Sequence, residues 1–264
     1  MSSASDNFVF EQPLNERTRS FLRLQFLLSE LDHFRADATD WDVRASIRTL
    51  LDILSVLGRT DIKSELLKDL GEQQGALQRL SDRPDINRDK LRNVLGEITA
   101  ALSALHRSTS AQPAVLLREN DFLYGIHSRS AIPGGTCMFD LPAYAHWLSR
   151  RPNTVQRDLE VWLSRLQAYR GALDLSLRLL RNASQPIEQV ASGGVFLYVP
   201  QAHYSLVRVH VSPEVDVYPE ISASRHRISV RFMRLGDVNT RNTQETADVP
   251  FWLQCCSPAG GVTS

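Results

Sequence analysis

The stretch Leu177–Pro200, LRLLRNASQPIEQVASGGVFLYVP, decides the fold, because the hydrophobic period changes inside it. Upstream, Leu159, Trp162, Leu163, Leu166, Tyr169, Leu173, Leu177 and Leu180 recur at helical spacing. They predict one long helix after Pro152 with a continuous apolar seam. From Gln185-Pro186 onward the period is two. Phe196–Val199, Tyr204–Val211, Arg227–Met233 and Phe251–Cys255 alternate or run β-branched and aromatic, with Gly193-Gly194, Pro200, Pro213, Pro219 and Gly236 between them. Such runs predict an antiparallel sheet of about four strands.

Working outward from this switch, the first two thirds read as helix. Phe21, Leu24, Leu28 and Leu31 form a stripe over Leu14 to Phe34, widened by Leu22, Phe26 and Leu27, which predicts burial on more than one side. Asp40 is an expected N-cap for a helix that stops at Gly58, and Thr60 or Asp61 caps the next, through Leu80. Asp85 is read as the start of a fourth, through Leu105. Shorter helices are expected over Val115 to about Ser128 and from the Asp140/Pro142 cap to Leu148. Short loops imply antiparallel packing, as in a bundle. The expected fold class is therefore α+β: an N-terminal α-helical bundle domain, 1–184, with a smaller C-terminal antiparallel β domain, 185–256. Residues 257–264 read as a disordered tail, and Phe8-Val9-Phe10 as a candidate extra strand for the β domain.

The charge balance, 30 basic against 30 acidic residues, argues against non-specific nucleic-acid binding, which needs surplus cations to displace counterions. Cys137, Cys255 and Cys256 form no disulfide framework, which suits a reducing compartment. Met1 to Glu11 lacks the features of a secretory signal, and no stretch approaches the ~20 apolar residues of a spanning helix. The expectation is a cytoplasmic protein without membrane insertion.

Catalytic signatures are thin. The sequence has no Walker A loop, no GxGxxG and no GxSxG, and the Cys255-Cys256 pair has no CxxC partner for a metal. Cys137, Asp140 and His146 are the nearest approach to a nucleophile with its base, though a structural cysteine beside a capped helix explains them better. Pro133-Gly134-Gly135 lacks the Lys or Ser/Thr of a phosphate loop. Neither an enzyme nor a cofactor is expected.

The strands carry more information. Period two places Arg227, Ser229, Arg231 and Met233 on one face of their strand and Ile228, Val230 and Phe232 on the other. Arg208 and His210 likewise share a face opposite Val207, Val209 and Val211. If the two strands pair, one outer face carries Arg208, His210, Arg227 and Arg231, with Glu214, Asp216, Glu220 and Asp237 mostly in turns. From Gln185 on there are six arginines and no lysine, and the planar guanidinium fork suits carboxylates. Such a face is either a solvated sheet surface or a site for an anion or peptide. A nucleic-acid-binding module is the alternative, disfavoured because the arginine-bearing strand face lacks stacking aromatics.

A set of landmarks resembles the ZapD family. They are Phe8-Val9-Phe10-Glu11-Gln12-Pro13-Leu14-Asn15-Glu16 followed by Arg23, Glu65–Leu70, Leu117-Arg118-Glu119, Ile132–Gly135, Phe139–Pro142, Tyr218-Pro219, Arg227, Arg231-Phe232-Met233 and Cys255-Cys256. They occur in family order from residue 8 to 256. The resemblance implies a helical domain joined to a β domain, a homodimer, and a role at the division site. There, members bind the C-terminal tail of FtsZ and bridge its filaments into bundles. It also implies a basic tail-binding surface matching Arg208, Arg227, Arg231 and Arg23, extended by Arg59 and Lys63. Two positions depart from the pattern. Asp121 stands where some relatives have a basic residue, and Ala145 replaces a usual His. His146, one place later, is the candidate contact instead, its ring turned by about 100° on the helix.

Overall fold

The computed structural model describes residues 7–36, 39–59, 61–81, 86–108, 113–237 and 239–258. By internal contacts the chain divides into a unit of residues 1–19 with 177–264 and a unit of residues 20–176. The architecture is α+β.

The first unit is a sandwich of two antiparallel sheets. One has the order β1 (Phe8–Pro13), β4 (Leu206–Val211), β8 (Val249–Cys256), β2 (Ile187–Ala191). The other has β3 (Val195–Tyr198), β6 (Ile228–Arg234), β5 (Tyr218–Ala223), with β7 (Thr243–Gln244) also on β6. The single sheet expected from the sequence is thus two sheets. β2 and β5 escape a reading based on alternation, β2 because it mixes Glu and Gln with its aliphatics, β5 because it contains Pro219. A proline is tolerated on an edge strand, where its missing N–H costs no ladder bond, and β5 is such an edge.

Period two decides what lies between the sheets. Val207, Val209 and Val211 of β4, Phe251 of β8, and Ile228, Val230 and Phe232 of β6 form one buried cluster. Phe251 meets the rings of Phe196 and Phe232, each at 5.2 Å between centroids. β2 passes into β3 of the other sheet through a two-residue turn at Gly193 and Gly194, closed by the Ser192–Val195 bridge, with φ of +55° and +73°, the left-handed pair that such a turn demands.

The opposite face of the first sheet carries a polar row in register, Glu11 on β1, Arg208 on β4 and Gln254 on β8. Glu11 accepts two bonds from the Arg181 fork, both 2.7 Å, and one from Arg208 Nε at 2.9 Å. Arg208 also donates to Gln254 Oε1 at 2.8 Å, and Gln254 Nε2 donates to the carbonyls of Arg181 and Ser184. Those carbonyls end the helix α9 (Gln167–Asn182) and its exit, so the row supplies donors to a helix terminus whose last carbonyls have no partner within the helix. Burial pushes the Glu11 carboxyl up, but Arg181 and Arg208 together hold it below its usual range.

The second unit is helical. α1 (Glu16–Ala36) extends into it and buries Phe21, Leu24, Leu28 and Leu31 but leaves Phe26 68% exposed. One face is packed, not several. α2 (Asp40–Arg59) is capped by Thr39, which exchanges hydrogen bonds with Asp42 as a capping box, so Asp40 is its first residue and not its cap. Asp61 caps α3 (Ile62–Gln78) and Asn87 caps α4 (Arg88–Arg107). The expected starts at Thr60 and Asp85 and most of the expected tail, 259–264, lie outside the described residues. Asn120 caps α6 (Asp121–Ser130) and separates it from α5 (Pro113–Glu119), where the sequence predicts one helix. α7 (Pro142–Leu148) begins at Pro142 with Leu141 at its cap position. Asp140 instead faces Cys137 and Arg129.

The expected long helix after Pro152 is also two: α8 (Pro152–Ser164) and α9, broken at Arg165-Leu166. Its seam is interior throughout. Leu159, Leu163, Leu166, Tyr169, Leu173, Leu177 and Leu180 are all buried. In the helical unit Leu50, Leu66, Leu70, Ile98, Leu105 and Leu123 are buried as well.

Two outcomes test this packing. A Cβ on Gly194 would sit 2.1 Å from the Glu245 carbonyl oxygen, whereas one on Gly193 meets nothing nearer than 3.8 Å. Gly193→Ala should therefore cost only the left-handed backbone penalty, about 1–2 kcal/mol, and Gly194→Ala distinctly more, as read by urea denaturation. Equal losses would contradict the close approach at this turn. Glu11→Gln should destabilise the fold at pH 7 by about 1.5–3 kcal/mol, the worth of hydrogen bonds to a charged group. Because the folded carboxyl titrates below its unfolded value, this stabilisation is present above the unfolded pKa and fades as pH falls through the folded one. Wild type and variant should converge in strong acid, and a gap independent of pH would contradict the ion pair.

Candidate functional site

The second sheet turns a different face outward. With Ile228, Val230 and Phe232 fully buried, Ser229, Arg231 and Met233 of β6 must point away from the core. Their neighbours across the ladder are Ser222, Glu220 and Tyr218 on β5 and Leu197 and Val195 on β3. Arg231 thus stands between Glu220 and Val195, so the face is not free of acid, contrary to the expectation from sequence. Among the described residues, however, Glu220 makes no ion pair with it, and neither Arg227 nor Arg231 has a side-chain hydrogen bond or ion pair. Leu197 is 59% exposed beside them.

Arg227 precedes β6 in a turn fixed by Ser224. The Ser224 N–H bonds the Arg227 carbonyl at 2.9 Å, and the Ser224 hydroxyl accepts from the N–H groups of His226 and Arg227. The same turn exposes Arg225, whose Nε donates to the His226 ring at 2.8 Å. Sequence reasoning passes over Arg225 and His226, although the run Arg225-His226-Arg227 between two period-two segments is there to be read.

Arg208 belongs elsewhere. β4 and β6 lie in different sheets and do not pair, so Arg208 and His210 share no face with Arg227 and Arg231. Arg208 is engaged with Glu11 and Gln254. His210 is buried against Gln254, and burial holds its pKa below the ordinary range.

The remaining candidates lie in the helical unit. Arg23 is exposed on α1, and Arg59 is exposed at the last residue of α2, where a cation complements the helix dipole. Lys63 donates to the Ser108 carbonyl at 3.3 Å. His146 is exposed on α7, and Asp121 lies in the first turn of α6, where its charge favours the N-terminus.

Cys137 lies ahead of α7, and Cys255 and Cys256 end β8. Cys137 Sγ lies 3.4 Å from Asp140 Oδ2, and among the described residues no hydrogen bond ties it to His146. Burial pushes the Cys255 thiol up to about 12 and raises Cys256 as well, which keeps both protonated and weakly nucleophilic at neutral pH. Among the described residues no group of three or more His, Cys, Asp or Glu side chains is placed to hold a metal. No described helix is long and apolar enough to cross a membrane.

The family profile of ZapD, described as a cell division protein, matches residues 22–231. A relative from Aromatoleum aromaticum is 38% identical over 94% of this chain and 96% of its own length. One from Methylococcus capsulatus is 39% identical over 95% and 98%, and one from Nitrosomonas eutropha 36% identical over 94% and 98%. Each of the three is named as the cell division protein ZapD. With the match running through both units, the chain belongs to the ZapD family of cell division proteins.

Proposed function

We propose that this chain binds the C-terminal tail of FtsZ on the outer face of its second sheet and, as a homodimer at the division site in the cytoplasm, bridges FtsZ filaments into bundles. The observation that carries the reading is a pair of guanidinium forks open among the described residues, Arg231 on the outer face of β6 and Arg227 in the turn that leads into it. Arg227 precedes Arg231 by four residues, a reach of about 13 Å where the chain is extended at ~3.3 Å per residue. An extended peptide lying beside β6 meets both if its carboxylates are about four residues apart. Leu197, Met233 and Tyr218 offer the apolar part of such a peptide a surface between and beside the charges.

Arg208 supports the surface indirectly on this reading, by holding Glu11 and with it the first sheet. Arg23, Arg59 and His146, exposed on the helical unit, are proposed as further contacts. Bridging needs two tail sites per particle, which a dimer supplies. Weak single contacts suffice, because neighbouring tails on a filament raise the effective concentration. A nucleic-acid surface fits less well: Tyr218 is the one aromatic among the described residues of this face, its hydroxyl is bonded by Asn242, and Glu220 opposes phosphate.

Titration of a fluorescent FtsZ-tail peptide should show Arg227→Ala and Arg231→Ala each weakening binding about tenfold or more, with unchanged melting. Binding should also fall with added salt, because an open face is screened over ~8 Å at physiological ionic strength. Residual salt-resistant binding is expected from Leu197 and Met233. Wild-type affinity in the double variant would mean that these arginines only solvate the sheet. Light scattering under reducing conditions should give a dimer at micromolar concentration. Since the Leu159–Leu180 seam is interior, substitutions along it should unfold the chain rather than yield a folded monomer. A folded wild-type monomer would rule out simple bridging.

A further inference from the structure

The β5–β6 turn that presents Arg227 also walls a cleft at one end of the sandwich, where the end of β1 and the β3–β4 loop meet it. Its volume is about 270 Å³. That is below the roughly 300–1,000 Å³ of sites enclosing a drug-sized ligand and suits a short piece of peptide. Leu14, Pro200 and the Tyr204 ring give it apolar sides. Arg225 gives it a cationic edge beside the His203 ring, and no carboxylate lines it. Arg225 is held through Nε by His226, which leaves both terminal amino groups of its fork without a partner among the described residues.

We propose that this cleft is a subsite for a carboxylate of a bound acidic peptide, seated on the Arg225 fork with the adjoining peptide carbon atoms against Leu14 and Pro200. The inference rests on the tail-binding reading and extends it. A peptide that runs along β6 past Arg231 and Arg227 reaches the turn next, and the cleft receives the residue that follows. Arg231, Arg227 and Arg225 then form one track of guanidinium forks, and the cleft sets the register in which the peptide lies on it. The open sheet face alone would let the peptide slide along β6.

The test pairs variants with peptides. Arg225→Ala removes the fork, and Ala202→Trp fills the cleft from an exposed position while leaving every charge in place. Both are titrated with the fluorescent FtsZ-tail peptide, with its C-terminal amide, and with peptides in which each Asp or Glu in turn is Asn or Gln. Each variant should bind the parent peptide about tenfold more weakly than wild type, with unchanged melting. One carboxylate replacement should cost affinity against wild type and nothing further against Arg225→Ala, the signature of a direct pair. Whether that replacement is the terminal amide or a side chain identifies which carboxylate the cleft holds. If wild type binds and both variants bind equally well, the cleft assignment fails and the tail reading stands. It also fails if every replacement costs the same against Arg225→Ala as against wild type. If wild type does not bind the parent peptide, both readings fall together.

Discussion

The alternation of β6 is the constraint on which the proposed binding face depends. Ile228, Val230 and Phe232 fill the space between the two sheets, and a strand with that side buried must turn Ser229, Arg231 and Met233 to the other. A slip of one residue would bury Arg231 and expose Phe232, so the cost of burying an unpaired guanidinium fixes the register. The face is therefore a by-product of the core, held as rigidly as the core itself. Arg231 is positioned by the strand, and Arg227 by the Ser224 hydrogen bonds of the turn before it.

The first sheet uses its arginines differently. Glu11, Arg208, Arg181 and Gln254 bond one another, and Gln254 also donates to the Arg181 carbonyl in the last turn of α9 and to the Ser184 carbonyl just beyond it. A half-satisfied network of this kind would be worse than an apolar patch, and here the hydrogen bonds close around the carboxylate. Arginines that look alike in sequence thus divide into those engaged by the fold and those left open at its surface.

That division marks the limit of what the sequence reveals. Period two tells which way Arg208 and Arg231 point within their own strands, but not which strands are neighbours, so a reading by alternation puts β4 and β6 in one sheet. The partner that occupies Arg208, Glu11, lies 197 residues away in the chain, beyond any local pattern. β5 is hidden by Pro219 and by an absence of alternation, and with it Glu220, the acid that stands beside Arg231. The break at Arg165-Leu166 is hidden for the opposite reason: the apolar seam continues in phase through it, and its members are buried on both sides. Elsewhere in the helical unit the apolar stripes and the Asp61 cap follow from spacing and local hydrogen bonding alone, whereas the Asn120 cap that parts α5 from α6 is a single polar residue inside one continuous helical run.

Recognition of the FtsZ tail is the central claim, and one comparison tests it most directly. The protein is co-sedimented with polymers of full-length FtsZ and with polymers of FtsZ lacking its C-terminal tail. It should pellet with the full-length polymers and stay in the supernatant with the tail-less ones. Equal pelleting with both would contradict tail recognition.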